Sequence, residues 1–114
     1  MLYTPDTSNY KELLPAVLMK PLTYGENSQL CEFQIRQGAV IPAHQHPQEQ
    51  IGYLVTGALR FFGDEGEVVV EPGYSWNFKG GVVHGAEALV DTIAIEVFSP
   101  VRPEYLPSNG NSSE

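Results

Sequence analysis

The chain has 114 residues, a formal net charge of −8, 42% apolar and 18% charged residues, and one cysteine. This composition is typical of a globular domain rather than a disordered segment. The acidic balance argues against nucleic acids and anionic membrane surfaces as partners, because both attract clustered lysine and arginine. A small anionic ligand is still compatible with it, since one nearby arginine dominates the field at contact distance.

Length predicts one domain over residues 1–105, followed by a flexible polar tail over 106–114. A lone cysteine, Cys31, excludes an intrachain disulfide and is expected to be a small buried hydrophobe. The first residues lack the basic start and apolar stretch of a signal peptide. Apolar runs also stay well short of the roughly 18 residues of a membrane span, so a cytoplasmic location is the expectation.

The predicted elements are short and mostly β. KELLP (11–15) could form one helical turn before Pro15. Alternating apolar and polar residues then predict strands, with Thr56-Gly57 in a hairpin turn and GDEG (63–66) in another. These strands cover 29–36, 50–57, 58–62, 67–71, 74–78 and 92–98. Such closely spaced strands and turns predict an all-β antiparallel sandwich or barrel.

The histidines are the first candidate site. His44 and His46 lie in IPAHQHPQEQIGYLVTG (41–57), and residues two apart in a strand share a face. Even spacing could keep Gln50 on that face, whereas Glu49, one position earlier, would point the other way. His84 follows two glycines in GGVVHG. Because histidine is the commonest transition-metal ligand at neutral pH, one metal site could use all three, although structural or surface roles are the alternative.

A second candidate lies at the C-terminal strand. In TIAIEVF (92–98), Glu96 and Phe98 share a face with Thr92 and Ala94. A carboxylate among apolar neighbours is costly without a partner or a function, so Glu96 either faces a cavity or lies on a solvated face. The fork of Arg102 suits a substrate carboxylate, and a surface salt bridge is the alternative.

Two stretches resemble the two motifs of the cupin superfamily. The first has Gly38 and Gly57 at its ends and Gln50 where glutamate is usual, and VVVEPGYSWNFKGGVVHG (68–85) resembles the second. The resemblance implies a double-stranded β-helix, the cupin jelly-roll barrel, with its motif-bearing core over about 29–98. It also implies one divalent transition metal (Ni, Zn, Fe, Mn or Co), held by His44, His46, Gln50 and His84.

HPQEQIGYLVTG, HGAEALVDT and EVFSPVRPEYL together resemble the KdgF-type pectin degradation proteins, over nearly the whole chain. This resemblance implies conversion of a 4,5-unsaturated uronate, released from pectin or alginate, into its linear keto-deoxyuronate. It implies a catalytic trio of Glu96, Phe98 and Arg102, with Glu96 where the family has aspartate.

The expected partner is therefore a small anionic sugar acid. Exposed sheet edges and outer apolar positions also predict a homodimer. A metal-dependent cupin dioxygenase and a non-catalytic cupin that binds a small molecule are the alternatives.

Overall fold

Ten strands and one short 3₁₀ helix form the part of the chain that the computed structural model describes, residues 2–6 and 8–106. The strands are β1 (Lys11–Leu14), β2 (Val17–Tyr24), β3 (Gln29–Ile35), β4 (Val40–His44), β5 (Glu49–Thr56), β6 (Leu59–Gly63), β7 (Val68–Val70), β8 (Ser75–Phe78), β9 (His84–Ala88) and β10 (Thr92–Ser99). The 3₁₀ helix covers Pro103–Tyr105. The predicted polar tail lies outside the described residues, except for Leu106.

The strands form two antiparallel sheets. One has six strands in the order β1-β2-β3-β10-β5-β8, and the other has four in the order β4-β9-β6-β7. From β3 onward the chain alternates between the sheets at every connection except the β6–β7 hairpin. This crossing pattern is a jelly roll, and it confirms the predicted all-β double-stranded β-helix.

Two local predictions are wrong. Residues 11–14 form strand β1 instead of a helical turn, because they pair with β2 from Lys11 opposite Met19. Thr56-Gly57 is not a hairpin turn, since β5 and β6 lie in different sheets and this segment carries the chain between them. Strands β2, β4 and β9 were not predicted; prolines and charged residues interrupt the alternation of β2 and β4.

Both sheets contribute buried residues to the interior, and those of the six-stranded sheet come from alternating positions along its strands. On β10 the buried face carries Thr92, Ala94, Glu96 and Phe98, four residues that the alternation predicted to share one face. Strand register places these residues in rows across β3, β10, β5 and β8. An apolar row has Phe33, Ala94 and Leu54; the next has Cys31, Glu96, Gly52 and Trp76; the last has Gln29, Phe98, Gln50 and Phe78.

Within these three rows, the polar side chains lie in the middle and last rows, towards one end of the sheet. Cys31 is fully buried in the middle row, which confirms its predicted position. Within the described ranges, the structure contains no helix with the length and apolar character needed to cross a bilayer.

Candidate metal centre

Three histidines converge at the polar end of the interior. His44 is the last residue of β4 and lies opposite His84, the first residue of β9. His46 lies in the loop that follows, beyond the end of the strand. Since Gln50 belongs to the other sheet, the strand-face reasoning used on the sequence does not explain the cluster. One ring nitrogen from each histidine lies within 4.8 Å of the others, so the three could hold a metal ion.

The tautomer of each ring follows from its backbone partner. Every Nδ1 lies 2.9–3.0 Å from a main-chain carbonyl oxygen, and a carbonyl can only accept a hydrogen bond. Each Nδ1 therefore carries a proton, so that in the neutral form of each ring Nε2 carries the lone pair. The three pairs are His44 with Pro42, His46 with Gln48, and His84 with Val82.

Gln50 completes the donor set. Its Oε1 lies 3.1 Å from Nε2 of both His46 and His84. Its Nε2 donates to Glu96 at 2.7 Å, which fixes the amide with its oxygen towards the histidines. Lone pairs facing one another at this distance repel unless a cation lies among them, so the residues fit a divalent transition metal. Glu49 instead lies on the exposed outer face, where Asn77 donates to it at 2.9 Å.

Burial keeps the inner imidazoles neutral in the metal-free protein. It lowers the pKa of His84 to about 4 and also lowers the pKa of His46. The Phe78 ring stacks on His84 with centroids 4.4 Å apart, which contributes to this burial. Neutral rings with free Nε2 lone pairs are the form that binds metals.

Glu96 lies next to this cluster and is 7% exposed. Its Oε1 accepts hydrogen bonds from Gln50 Nε2 at 2.7 Å and from Trp76 Nε1 at 3.0 Å. Burial raises the pKa of Glu96 to about 7, and the two hydrogen bonds and the charge of Arg102 oppose that rise. The carboxyl group can therefore take up or release a proton near neutral pH.

Trp76 was missed as a site residue when only the sequence was considered. It lies opposite Gly52 in the β5–β8 register, and a Cβ at Gly52 would overlap the indole ring. The missing side chain lets the indole reach across β5 to Glu96 on β10. The glycine in QIGYLV was the available signal, since an isolated glycine in a strand often marks a close approach.

Arg102 follows β10 and packs on two aromatic rings. Its guanidinium carbon lies 4.1 Å from the Tyr105 ring centroid and 5.2 Å from that of Phe98. Its Nε and Nη2 donate to Glu104 Oε2 at 3.3 and 3.1 Å. The guanidinium is thus held at one edge by a largely exposed carboxylate, while the Arg102 side chain itself is mostly buried.

A cavity of about 430 Å³ joins these groups. Its polar lining comes from three residues of the candidate metal site, from Glu96 on β10 and from Arg102 after β10. The three candidate metal-site residues are His44, Gln50 and His84. The rest is largely apolar, with contributions from Leu13, Val17, Phe33, Ile35, Leu59 and Phe61. The structure therefore places Glu96, Phe98 and Arg102 around the same cavity as two of the histidines and Gln50.

An antiparallel jelly roll with three inward-facing histidines defines a small β-barrel protein with a candidate metal centre. Residues 31–99 match the Cupin_2 family model, described as Cupin domain, and the chain belongs to this family. No match was found among curated protein sequences.

Three solved structures illustrate the similarity. KdgF from Halomonas sp. is 28% identical, with a TM-score of 0.87 over 93% of this chain and 100% of that one. An RmlC-like cupin from Shewanella frigidimarina is 22% identical, with a TM-score of 0.81 over 93% and 100%. The polyketide cyclase RemF from Streptomyces resistomycificus is 20% identical, with a TM-score of 0.77 over 90% and 82%. The last two similarities establish the fold alone.

Proposed function

We propose that this protein is a metal-dependent enzyme that converts a small 4,5-unsaturated uronate into its linear keto-deoxyuronate. The observation that carries the proposal is the placement of Glu96, Phe98 and Arg102 around the cavity that the candidate metal site also lines. The similarity to KdgF from Halomonas sp. supports the same activity.

The donor set of His44, His46, His84 and Gln50 would hold one divalent metal. Because all four ligands are neutral, the bound ion would keep its full charge and act as a Lewis acid towards substrate oxygens. Arg102 would bind the carboxylate of the substrate through its guanidinium fork. Phe98 would pack against the sugar ring, since its side chain contacts both Arg102 and His46.

Glu96 would move the proton that the reaction transfers. Ring opening removes a proton from the anomeric hydroxyl and breaks the bond between the anomeric carbon and the ring oxygen. The resulting enolate becomes a ketone when a proton is added at C4, so the overall change is an isomerisation. A carboxyl group with a pKa of about 7 can accept the first proton and deliver the second.

Loss of ultraviolet absorbance by the unsaturated monouronate tests this function. Metal-loaded protein should accelerate the loss well beyond the spontaneous reaction, and Glu96→Gln should lower kcat by about 10²-fold or more. Glu49→Gln is the matched control, because that carboxylate lies on the outer face of β5. A wild-type protein that gives only the spontaneous rate would refute the proposal.

The apolar wall of the cavity favours a second candidate, a metal-dependent dioxygenase for a substrate with an apolar body. Three histidines around iron would leave coordination positions for O₂ and substrate. Oxygen uptake with β-diketones or diols would distinguish this activity from the first. Tight binding with neither uptake nor isomerisation would indicate a non-catalytic binding protein.

A further inference from the structure

We infer that Gln29 and Gln48 are positioning residues that hold the Val101–Arg102 peptide and thereby aim the Arg102 side chain at the cavity. Neither glutamine was singled out from the sequence. The inference rests on the proposed role of Arg102, and it adds two side chains that would not touch the substrate.

The two glutamines bind opposite ends of one peptide unit. Gln29 Oε1 accepts a hydrogen bond from the Arg102 backbone N–H at 2.5 Å. Gln48 Nε2 donates to the Val101 carbonyl at 3.4 Å. Gln29 begins β3, and Gln48 lies in the loop before β5, so two separate parts of the chain converge on this peptide.

This peptide lies beyond the strand ladder. The pairing of β10 with β5 ends at Ser99, opposite Glu49, three residues before Arg102. Side chains must therefore replace the ladder in setting the direction of the backbone. A displacement of about 1 Å in a substrate-binding group can reduce a rate by about 10²-fold, so this direction matters for the reaction.

Packing alone does not account for the two amides. Gln29 is 2% exposed and Gln48 is 8% exposed. Gln29 Nε2 and Gln48 Oε1 are buried, and neither has a hydrogen-bond partner among the described residues. Leaving such an atom unpaired costs about 1–3 kcal/mol, which an apolar side chain of similar size would avoid. What each amide supplies in return is its hydrogen bond to the Val101–Arg102 peptide.

Gln48 also connects this peptide to the metal centre. Its main-chain carbonyl accepts the Nδ1 proton of His46 at 3.0 Å, while its side chain donates to Val101. One residue thus orients a candidate ligand and the segment that carries Arg102. A change at Gln48 would therefore affect both the candidate ligand His46 and the segment that carries Arg102.

Methionine substitutions test the inference, because methionine keeps the volume and removes both the hydrogen bond and the unpaired atom. The proteins are metal-loaded wild type, Gln29→Met, Gln48→Met and Arg102→Met, and both glutamine variants combined with Arg102→Met. Gln34→Met is the matched control, since Gln34 also lies on β3 but bonds to Glu32 on the outer face.

Nuclear magnetic resonance provides a readout that needs no substrate. Gln29→Met should reduce the hydrogen-exchange protection of the Arg102 amide by about tenfold or more. Both glutamine variants should also shift the Arg102 Nε–H resonance, whereas Gln34→Met should leave it in place. Unchanged Arg102 resonances and protection in both glutamine variants would overturn the inference, whether or not the uronate is turned over.

Kinetics on the unsaturated monouronate test the consequence. Each glutamine variant should lose about tenfold in kcat/KM, mostly through a higher KM, with little change in melting temperature. In the Arg102→Met background the same substitutions should change kcat/KM by less than about twofold. Equal losses in both backgrounds would contradict the inference. Absence of turnover by wild type would refute the proposed substrate, and the resonance data would then decide the inference.

Discussion

Gln50 Nε2 donates a hydrogen bond to Glu96 Oε1 at 2.7 Å, and this contact determines which atom of the Gln50 amide faces the histidines. The amide oxygen is turned towards Nε2 of His46 and His84, at 3.1 Å from each. One side chain therefore joins the candidate metal site to the buried carboxyl group. Substitution of Glu96 should therefore affect metal binding, and metal binding should in turn affect the Glu96 carboxyl group.

The first prediction concerns the pH dependence of stability in chelator-treated protein. Burial raises the pKa of Glu96 from 4.5 to about 7, so the folded state favours the protonated form. The stability that this preference contributes is present in full below the unfolded pKa and is lost as pH rises through the folded pKa. Glu96→Gln should therefore gain stability relative to wild type between pH 5 and pH 8, by about 2–3 kcal/mol.

Urea unfolding at the two pH values measures this difference. Comparing wild type with the variant cancels the titration of the histidines, which both proteins share. Glu49→Gln is the control substitution, because Glu49 lies on the exposed outer face of β5. A Glu96→Gln difference that is the same at pH 5 and pH 8 would be inconsistent with the assigned pKa.

The second prediction concerns the contact between Gly52 and Trp76. Gly52→Ala would place a methyl group inside the space of the indole and push the ring away from Glu96. We expect a loss of about 1–3 kcal/mol in the free energy of unfolding, as for other overpacked interiors. Trp76 is the only tryptophan, so its fluorescence reports the displacement directly and should move to longer wavelength.

Gly25→Ala is the control for this change, since a Cβ there meets open space. It should alter neither fluorescence nor stability by a comparable amount. If Gly52→Ala retained the wild-type emission spectrum and melting temperature, the close approach of the indole to β5 would be wrong.

The sequence alone could predict features that depend on the alternation of side chains along one strand. The period of two along 92–98 correctly placed Glu96 and Phe98 on one face, but it left open whether that face is buried, and the structure shows that it is. The sequence alone could not predict strands that form because another segment pairs with them. Residues 11–14 have no strong strand pattern of their own and form β1 because β2 is available as a partner.

In the candidate site, too, local spacing was predictive and contacts between distant segments were not. Spacing within one segment indicated Gln50 rather than Glu49, but it could not show that His46 lies beyond the strand and reaches the cluster from a loop. The bond between Gln29 and Arg102 joins residues far apart in the chain. Gln29 lies at an inward position of β3, but alternation within that strand does not indicate its partner.

The third prediction concerns the exposed partner of Arg102. Glu104 occupies the guanidinium fork that a substrate carboxylate would need, and it is largely exposed. Because exposed ion pairs contribute at most about 1 kcal/mol, Glu104→Gln should lower KM for the unsaturated monouronate by about two- to fivefold with kcat unchanged. Glu67→Gln is the control, since Glu67 is equally exposed but pairs with Arg60 away from the cavity. A higher KM in Glu104→Gln would show that Glu104 assists binding instead of competing with it.

The fourth prediction concerns the thiol in the middle row of the interior. Burial raises the pKa of Cys31 to about 12, and the residue is fully buried. Since the thiolate is the reactive form, native protein at pH 8 should not react with a thiol reagent such as dithionitrobenzoate. Guanidinium-unfolded protein should react with one equivalent per chain. Rapid labelling of the native protein would show that the interior is open at β3.

The most direct test of the metal centre is the metal content of tag-free protein, measured by inductively coupled plasma mass spectrometry after incubation with a divalent transition metal and desalting. Wild type and Gln45→Ala, which changes the exposed residue between His44 and His46, should each retain about one ion per chain. His84→Ala should retain less than about a tenth of that amount, because one of the three imidazole ligands is gone. Equal metal retention by His84→Ala and wild type, or no retention by wild type, would contradict the account.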